Sequence, residues 1–504
     1  DGHQVLAAPI TSMTKAAIAD AGLDNKTADR CKNMFALGMV YRLFDQPMDQ
    51  TIGFFQHKFK KSPSIAEANI RALKAGHNYV LTMEAVPATY TVQPAARTPG
   101  TYRNITGNQA LAWGLMAGAK KAGKDLFLGS YPITPATDIM QELAKHKWAG
   151  VKVLQAEDEI AGICSAIGAS FAGDVAVTTT SGPGMALKTE AIGLAVMTEL
   201  PLVIVNVQRG GPSTGLPTKT EQSDLLQAVW GRNGESPVVV LAASTPAACF
   251  DRAVEAIKIA TEHMTPVILL SESYVANGAE PWKVKALDEL PAIHPPVLTQ
   301  PDPAWTPYGR DPATLARKWV VPGTPALQHR IGGLEKDECT GCVSHDPQNH
   351  EAMVALRRQK VERVADFIPE QKFRGKGAKK LLVVGWGGQF GTLFGAVTEL
   401  RSEGKDIAVT HFNHIHPLPR NTASIFAQFE QIVVCELNSG QFANYLRAVL
   451  PQVAVVAKDG DRYVALASFC ADVPRDAAQL PLTLKLLVDC SGSMGGDSIA
   501  AARR

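Results

Sequence analysis

Apolar residues recur at helical spacing through residues 1–84, as in NMFALGMVYRLF and IAEANIRALKAGHNYV, and predict a mostly helical first segment. The stretch that follows, AVPATYTVQPAARTPGTYRNITGN, is rich in Pro, Thr and Gly. Such a composition disfavours regular structure and predicts a linker over residues 85–107. The pattern therefore places a first boundary ahead of Asn108.

From Asn108 onward, short and almost continuously apolar strands alternate with helices. VKVLQ, DVAVTTT and PLVIVNV are such strands, and LAWGLMAGAKKAG and EDEIAGICSAIGASFAG are such helices. Strands of this kind, joined by helices, are typical of βαβ units around a parallel sheet, so residues 108–285 are predicted to form an α/β domain. A proline-rich arm and a charged helix follow over residues 286–375, and a second α/β segment is predicted over residues 376–457.

Composition narrows the class of protein further. An apolar fraction of 46%, a charged fraction of 19% and a net charge of +2 indicate a well-buried globular protein with no basic surface for nucleic acid. No apolar run reaches the ~18–20 residues of a membrane-spanning helix. The eight cysteines are scattered, apart from Cys339 and Cys342 in CTGC, and favour a reducing, cytoplasmic compartment. Because the chain begins with Asp1 rather than Met, we expect a fragment or a processed start.

Two further clusters invite a metal interpretation. One CxxC pair is too small a ligand set for a metal ion or cluster, so a loop with two reduced thiols is favoured over a redox or metal role. His411, His414 and His416 lie in THFNHIHPLP, where the last two would share one face of a strand, but a structural role is favoured. The nearby GWGGQFG is expected to be a strand-to-helix turn rather than a phosphate loop.

Three predicted strand ends carry conspicuous polar groups, in YPITPAT, QAEDEIAG and QRGGPSTGLPT. Ligands of open parallel sheets bind outside the carboxyl ends of the strands. If these ends meet, they form a pocket that combines the hydroxyl of Thr134, a carboxylate, the guanidinium of Arg209 and free backbone amides. On the residues alone, two alternatives stay open: Arg209 in a surface ion pair, and GGPSTG as an ordinary turn.

The carboxylate of interest is Glu159, at the start of the predicted helix EDEIAGICSAIG. Apolar residues at helical spacing predict one buried stripe on that helix, made of Ile160, Ile163, Cys164, Ile167 and Phe171. Glu159 begins the stripe, so its side chain is expected at the core end of the helix rather than in water. The alternative is that Glu157, Asp158 and Glu159 only complement the helix macrodipole.

Long motifs in this chain resemble the α subunit of 2-oxoacid:ferredoxin oxidoreductases, most nearly the 2-oxoglutarate type. They are GSYPITPATDIMQEL, VLQAEDEIAGICSAIGASFAG, TTTSGPGMALKTEAIGLAVMTELPLVIVNVQRGGPSTGLPTKTEQSDL and VVGWGGQFG. The spacing of Glu159 and Gly168 resembles the pyrimidine-binding helix of thiamine-diphosphate enzymes. The resemblance covers roughly residues 1–457. It implies a pyrimidine-binding α/β domain, a transketolase-C-like α/β domain at residues 376–457 and, at residues 1–84, the end of a γ domain that some members fuse ahead of α.

The resemblance also implies a reaction and a set of residues. The reaction is oxidative decarboxylation of a 2-oxoacid to acyl-CoA with reduction of ferredoxin, and coenzyme A is a substrate. Glu159 would act as the catalytic carboxylate by bonding to the aminopyrimidine ring of thiamine diphosphate. The remaining implied residues are Pro132 and Ile133 for the cofactor, Thr134 and Arg209 for the first substrate carboxylate, and Ser213 and Thr214 for a second one.

The same resemblance implies a partner. This chain has no GDG…N stretch and no four cysteines spaced for a [4Fe–4S] cluster, and in the family both belong to the β subunit. Thiamine diphosphate would therefore be shared between the subunits, with Mg²⁺ and the iron–sulfur cluster on β, in an (αβ)₂ heterotetramer that reduces ferredoxin. Alternatives are a subunit for pyruvate or a branched 2-oxoacid, and a catalytically silent scaffold.

Beyond about Lys458 the resemblance ends. LPLTLKLLVDCSGSMGGDSIAAARR is similar instead to the first strand and metal-site loop of a von Willebrand factor A domain, with Asp489, Ser491 and Ser493 as its DxSxS pattern. Such oxygen ligands suit a hard cation such as Mg²⁺. One loop cannot complete a site that such domains assemble from several, so only weak metal binding is expected. A non-catalytic, metal-dependent binding module is the remaining alternative function.

Overall fold

The structure is a computed structural model that describes residues 6–83, 89–93 and 95–450. The chain divides into two compact units, Asp1–Pro99 and Gly100–Arg504. No helix in these described ranges is both long and apolar enough to cross a membrane. The DxSxS residues Asp489, Ser491 and Ser493 lie outside the described residues.

The first unit is helical, in agreement with the apolar pattern of its sequence. Its helices are α1 (Ile10–Ala17), α2 (Asn25–Arg30), α3 (Lys32–Leu43), α4 (Asp49–Lys58) and α5 (Pro63–Thr82). Two glycines let the backbones of α3 and α5 approach closely. A Cβ atom at Gly38 would lie 1.9 Å from the carbonyl oxygen of Leu73, and one at Gly76 would lie 1.9 Å from that of Phe35. Any larger residue would push the two helices apart.

The second unit alternates strands and helices. Its strands are β1 (Tyr102–Thr106), β2 (Leu126–Ser130), β3 (Val151–Gln155), β4 (Val175–Thr180), β5 (Leu202–Gln208), β6 (Val239–Ala242), β7 (Pro266–Glu272), β8 (Ala279–Lys283), β9 (Phe373–Arg374), β10 (Leu381–Trp386), β11 (Ile407–Phe412), β12 (His414–His416) and β13 (Gln431–Val434). Its helices are α6 (Gly107–Lys121), α7 (Thr137–Leu143), α8 (Glu159–Phe171), α9 (Gly182–Leu187), α10 (Thr189–Thr198), α11 (Leu225–Trp230), α12 (Pro246–His263), α13 (Ser273–Asn277), α14 (Pro347–Arg363), α15 (Phe390–Ser402), α16 (Thr422–Phe426) and α17 (Gln441–Val449). Short 3₁₀ turns lie at Ala144–Ala149, Leu287–Glu289, Val364–Asp366 and Gly387–Gln389.

Seven strands form the main sheet, in the order β12-β6-β7-β5-β4-β2-β3. All its pairs are parallel except β12 with β6. The strands are apolar because both faces are covered: in β5, Val203 and Val205 join the core on one face, whereas Ile204 joins the core on the other. The α/β prediction with a parallel sheet is confirmed.

A second sheet, in the order β13-β10-β11-β9, packs against the main one. Trp386 of β10 and Phe412 of β11 share one hydrophobic core with Ile204 of the main sheet. The second α/β segment, residues 376–457, is also tied to the main sheet by backbone hydrogen bonds, since β12 pairs with β6. The segment predicted to be transketolase-C-like therefore packs as one body with the domain before it.

Strand β1 lies within the segment predicted to be a linker. It pairs antiparallel with β8, in a register that places Tyr102 opposite Lys283. The partner strand is about 180 residues away in sequence, so local composition gives no indication of the pairing. By contrast, residues 290–343 contain no helix or longer strand, as the proline-rich composition predicts.

A buried ionic cluster holds that arm and helix α14 against the main sheet. The carboxylate of Glu199 is completely buried and accepts a bond of 2.5 Å from Arg310, which belongs to the arm. Lys360 of α14 forms a second ion pair with the same carboxylate. Burial opposes ionisation of Glu199, but the two cations outweigh it and hold the pKa of Glu199 well below its ordinary value.

Candidate active site

Four neighbouring strands of the main sheet end at the same edge. In the order β5-β4-β2-β3, their carboxyl ends lead to Arg209, the turn before Gly184, Thr134 and Glu159, respectively. Parallel strands direct their carboxyl ends to one side, so groups far apart in sequence become neighbours there. The predicted strand-end residues Thr134, Glu159 and Arg209 therefore lie along one edge.

Arg209 is buried, with 7% of its surface exposed, and it reaches across the sheet edge to the turn after β2. Its Nη1 donates a hydrogen bond of 2.7 Å to the carbonyl oxygen of Thr134. No ion pair or second hydrogen bond of this guanidinium occurs within the described ranges, so the surface ion pair considered above is not what holds Arg209. Asn108 also holds this turn in place, because its Nδ2 donates a hydrogen bond of 2.9 Å to the carbonyl oxygen of Pro135.

Glu159 is the first residue of α8 and its side chain is half-buried. The helix is capped by Asp158, whose Oδ1 accepts a bond of 2.7 Å from the amide of Ala161. Asp158 thus caps the helix, whereas Glu159, in its first turn, packs over Gly184 of α9. A Cβ atom at Gly184 would lie 2.6 Å from Glu159 Cγ and 3.0 Å from its Oε1. Gly184 leaves the space that this carboxylate fills.

The predicted apolar stripe of α8 is wrong in part. Ile163 and Ile167 are buried, but Ile160 is 49% exposed, Phe171 is 38% exposed and the thiol of Cys164 is exposed. The buried face consists largely of small residues because α8 lies very close to β2. The carbonyl oxygen of Gly162 would be 2.4 Å from a Cβ atom at Gly129. Ile160 and Phe171 are turned outward instead and leave an exposed apolar face on α8.

Lys188 lies beside Glu159, and the sequence pattern did not single it out. It is completely buried, and its Nζ donates a hydrogen bond of 2.6 Å to the carbonyl oxygen of Glu159. Burial lowers the pKa of Lys188 to about 8, against the opposing effect of the Glu159 and Asp158 carboxylates. The only indication in the sequence is its position four residues after Gly184, on the same face of a helical turn.

The loop after Arg209 turns back on itself. The amide of Leu216 donates 2.8 Å to the carbonyl oxygen of Gly210, and Ser213 adopts a left-handed backbone with a φ of 55°. The hydroxyls of Ser213 and Thr214 are exposed at its tip and make no hydrogen bond within the described residues. GGPSTG is thus a turn, as one alternative held, but a turn that presents two free hydroxyls beside Arg209.

Residues Pro132 and Ile133 lie half-buried in the turn between β2 and α7. The amide of Thr137 donates 3.0 Å to the carbonyl oxygen of Ile133, which begins the helix. Several polar atoms along this edge are buried without a partner in the described chain, namely Asn108 Oδ1, Ser181 Oγ, Asn206 Oδ1 and Arg209 Nε. Buried polar atoms of this kind are normally satisfied, so their concentration here suits a polar ligand.

Asp224 lies beneath the turn that follows β4, between Asn206 and Gly182. Its carboxylate accepts a bond of 3.0 Å from Asn206 of β5, and a Cβ atom at Gly182 would lie 2.9 Å from it. Burial raises the pKa of Asp224 above its ordinary value. A group larger than hydrogen cannot occupy position 182 without displacing this carboxylate.

The histidine cluster is structural. His414 pairs with Glu255 of α12 at 2.8 Å, whereas His416 bonds to the hydroxyl of Tyr445 at 2.8 Å. A bulge separates the two on β12, so the prediction that they share a face is wrong. His411 donates 2.9 Å to the carbonyl oxygen of Gly387, and burial lowers its pKa to about 4.

The remaining motifs also behave as structural elements. Gly387–Gln389 forms a 3₁₀ turn between β10 and α15, as expected for a strand-to-helix turn. Cys339 and Cys342 are exposed, unpaired thiols. Within residues 6–83, 89–93 and 95–450, no group of three or more His, Cys, Asp or Glu side chains is arranged to hold a metal ion.

Known proteins resemble this chain over most of its length. Residues 117–344 match the family model described as "Pyruvate flavodoxin/ferredoxin oxidoreductase, thiamine diP-bdg". The 2-oxoglutarate oxidoreductase subunit KorA of Mycobacterium tuberculosis is 48% identical over 439 residues, which are 87% of this chain and 67% of that protein. The 2-oxoglutarate synthase subunit KorA of Methanocaldococcus jannaschii is 35% identical over 67% of this chain and 88% of its own length.

A solved structure supports the same relationship. It is a 2-oxoglutarate:ferredoxin oxidoreductase from Magnetococcus marinus with 2-oxoglutarate, coenzyme A and succinyl-CoA bound. The two chains superpose with a TM-score of 0.78 and 31% sequence identity, over 88% of this chain and 75% of that one.

Proposed function

This chain belongs to the α subunits of the 2-oxoacid:ferredoxin oxidoreductase family, and from that membership we propose that it is the pyrimidine-side subunit of a thiamine-diphosphate-dependent 2-oxoglutarate:ferredoxin oxidoreductase. In the proposed reaction, 2-oxoglutarate loses carbon dioxide, its acyl group passes to coenzyme A, and two electrons pass singly to ferredoxin. Relatives whose names specify 2-oxoglutarate support this substrate over other 2-oxoacids.

The proposal depends most on the bond between Arg209 and Thr134. It fixes a buried guanidinium at the carboxyl edge of the sheet while using only one of its donors. The remaining donors suit a carboxylate, because a guanidinium binds one through two parallel hydrogen bonds. The exposed hydroxyl of Thr134 lies on the same turn and can donate to the same carboxylate. We therefore assign the C1 carboxylate of the substrate to Arg209 and Thr134.

The residues beside this position fit thiamine diphosphate. When bound, the cofactor supplies the carbon nucleophile and electron sink that decarboxylation of a 2-oxoacid requires. Glu159 would hold its aminopyrimidine ring, since this half-buried carboxylate makes no hydrogen bond within the described chain and can share a proton with a ring nitrogen. Pro132 and Ile133, in the turn after β2, would contact the same ring.

A substrate with two carboxylates needs a second set of donors. Ser213 and Thr214 follow Arg209 by four and five residues and present free hydroxyls at the tip of the loop. We assign the distal carboxylate of 2-oxoglutarate to this tip. Pyruvate and branched 2-oxoacids lack that carboxylate, so they would gain nothing from these hydroxyls.

A partner subunit would cover the face of α8 next to Glu159. Ile160, Cys164 and Leu187 are exposed there, and the edge strand β3 exposes Leu154. An apolar surface that surrounds a polar site is typical of a protein interface. Family membership makes the β subunit the proposed occupant, and with it the diphosphate, Mg²⁺ and [4Fe–4S] sites of an (αβ)₂ assembly.

The test is turnover by the chain purified together with its β subunit. With thiamine diphosphate, 2-oxoglutarate and coenzyme A, the complex should reduce ferredoxin or a viologen dye, and it should do so faster than with pyruvate or a branched 2-oxoacid. Glu159→Gln should reduce turnover at least about 100-fold, because a general acid–base group contributes that much.

Glu157→Gln is the matched control. Glu157 is exposed, lies two residues before Glu159 and precedes the same helix, so its loss changes the local charge equally. It should retain the activity of the unmodified complex. Full turnover by Glu159→Gln would disprove the assigned site, and no 2-oxoacid-dependent reduction by the unmodified complex would disprove the function.

A further inference from the structure

Lys188 is an unusual residue for a sheet edge, because it is completely buried and yet bonded to a backbone carbonyl. Its Nζ lies 2.6 Å from the carbonyl oxygen of Glu159, and no carboxylate forms an ion pair with it within 4.0 Å in the described residues. A buried lysine normally has an ion-pair partner. This bond therefore requires an explanation other than charge neutralisation.

The position of Lys188 along its helix links it to Glu159 a second time. Gly184 and Lys188 are four residues apart, so they lie on the same face of consecutive turns. Gly184 accommodates the side chain of Glu159, whose Cγ would be 2.6 Å from a Cβ atom there, while Lys188 holds the main chain of the same residue. One face of α9 thus contacts both ends of Glu159.

Helix stability does not account for this arrangement. The amino terminus of α8 carries the positive end of the helix macrodipole, which disfavours a nearby cation. Burial is also unfavourable, and it lowers the pKa of Lys188 to about 8. The groups that attract its charge are the carboxylates of Glu159, the first residue of α8, and of Asp158, which caps that helix. A lysine kept at such a position against two opposing effects is a candidate for a functional role.

We propose that Lys188 is a positioning residue for Glu159: it fixes the first turn of α8 and provides a buried positive charge beside the carboxylate. This inference builds on the proposed function, in which Glu159 binds the aminopyrimidine ring. Lys188 itself touches neither substrate nor cofactor in this proposal. Its effect is to hold the Glu159 carboxylate against Gly184, in one place, before the cofactor arrives.

Lys336 offers a matched control from the same unit. It is also a buried lysine whose Nζ donates to a backbone carbonyl, that of Met197 at 2.7 Å, and burial lowers its pKa to about 8 as well. Met197 lies at the far end of α10 from Lys188, at the opposite edge of the sheet. Lys336→Met and Lys188→Met therefore remove equivalent groups and differ in whether Glu159 is involved.

The experiment compares these variants in the complex with the β subunit. First, hydrogen–deuterium exchange of the cofactor-free complex should show faster exchange of the amides of residues 160–164 in Lys188→Met, but not in Lys336→Met. Second, titration with thiamine diphosphate should show weaker binding only in Lys188→Met. Third, kcat should fall about 10- to 100-fold in Lys188→Met, the effect of misplacing a catalytic group, while KM for 2-oxoglutarate changes less than about twofold.

Lys188→Gln separates the two parts of the proposal, since glutamine keeps a donor but not the charge. Normal exchange at residues 160–164 together with reduced kcat would assign the effect to charge, and recovery of both would assign it to the hydrogen bond. If Lys188→Met matches Lys336→Met in exchange, cofactor affinity and kcat while Glu159→Gln is inactive, the Lys188 proposal alone is overturned. If Glu159→Gln is itself active, the proposed function fails first.

Discussion

Replacing Gly184 by alanine tests how narrowly Glu159 must be placed. The added methyl group would lie 2.1 Å from Thr180 Oγ1 and 2.6 Å from Glu159 Cγ. Thr180 is completely buried and has little room to turn away, so the side chain of Glu159, which is only half-buried, must shift to relieve its own contact. Ordinary contacts begin at 3.4 Å, so the displacement of Glu159 is at least about 0.8 Å.

A shift of that size should affect turnover much more than folding. Misplacement by about 1 Å lowers turnover on the order of 100-fold. Alanine is favoured over glycine in a helix by about 1 kcal/mol, whereas overpacking costs about 1–3 kcal/mol, so the free energy of unfolding should fall by no more than about 2 kcal/mol. The expected signature of Gly184→Ala is therefore a large loss of kcat with a nearly normal melting temperature.

The assay is 2-oxoglutarate-dependent ferredoxin reduction by the complex with the β subunit, beside thermal unfolding and cofactor titration. Gly193→Ala is the control: Gly193 lies in α10, and a Cβ atom there meets only Ser236 Oγ at 3.9 Å. That variant should keep full turnover. If Gly184→Ala keeps kcat and cofactor affinity within about twofold of Gly193→Ala, the position of Glu159 against Gly184 has no bearing on catalysis.

Three further variants test the substrate site and the two buried carboxylates. Arg209→Lys keeps the charge but loses the paired donors, so initial-rate kinetics should show KM for 2-oxoglutarate raised at least about 10-fold; an unchanged KM would contradict the assignment. Glu199→Gln leaves Lys360 and Arg310 unpaired and should lower the free energy of unfolding by about 3–5 kcal/mol in denaturant titrations, without changing KM. Burial raises the pKa of Glu272 from its ordinary 4.5 to about 7. The stability that its protonated form contributes is therefore present below pH 4.5 and lost as pH rises to about 7, on the order of 3 kcal/mol. Glu272→Gln should lack this loss when melting is compared at pH 5 and pH 8.

The sequence predicted that the candidate site residues lie at one edge of the sheet, because the carboxyl ends of parallel strands meet there. Once YPITPAT, QAEDEIAG and QRGGPSTG are recognised as strand ends, their meeting at one edge follows from sheet geometry, and the bond between Arg209 and Thr134 is an instance of it. The helix-start position of Glu159 was visible in the same way. The sequence pattern does not predict which neighbouring residue each of these side chains contacts.

The apolar stripe of α8, the linker that contains β1 and the burial of Lys188 were predicted wrongly or missed for one physical reason. Each depends on contact between segments that are distant in sequence. The buried face of α8 combines Ile163 and Ile167 with small residues because β2 approaches it closely at Gly129, and a pattern that counts only large apolar residues wrongly adds Ile160 and Phe171 to it. Strand β1 forms because β8 pairs with it. The burial of Lys188 depends on the contact between α8 and α9, and its spacing of four residues from Gly184 is too weak a signal to indicate that contact.

The same kind of long-range contact connects the second α/β segment, residues 376–457, to the loop that begins at Arg209. Gln222, at the end of the loop that begins at Arg209, donates 3.0 Å to the carbonyl oxygen of Trp386 and accepts 3.1 Å from the amide of Leu437. The loop is therefore anchored at one end by β5 and at the other by β10 and the turn after β13. Its tip, with Ser213 and Thr214, makes no side-chain hydrogen bond of its own in the described chain. A loop with fixed ends and a free tip suits the role proposed for Ser213 and Thr214, because the tip can adjust to the distal carboxylate of the proposed substrate while the two anchors keep Arg209 in place.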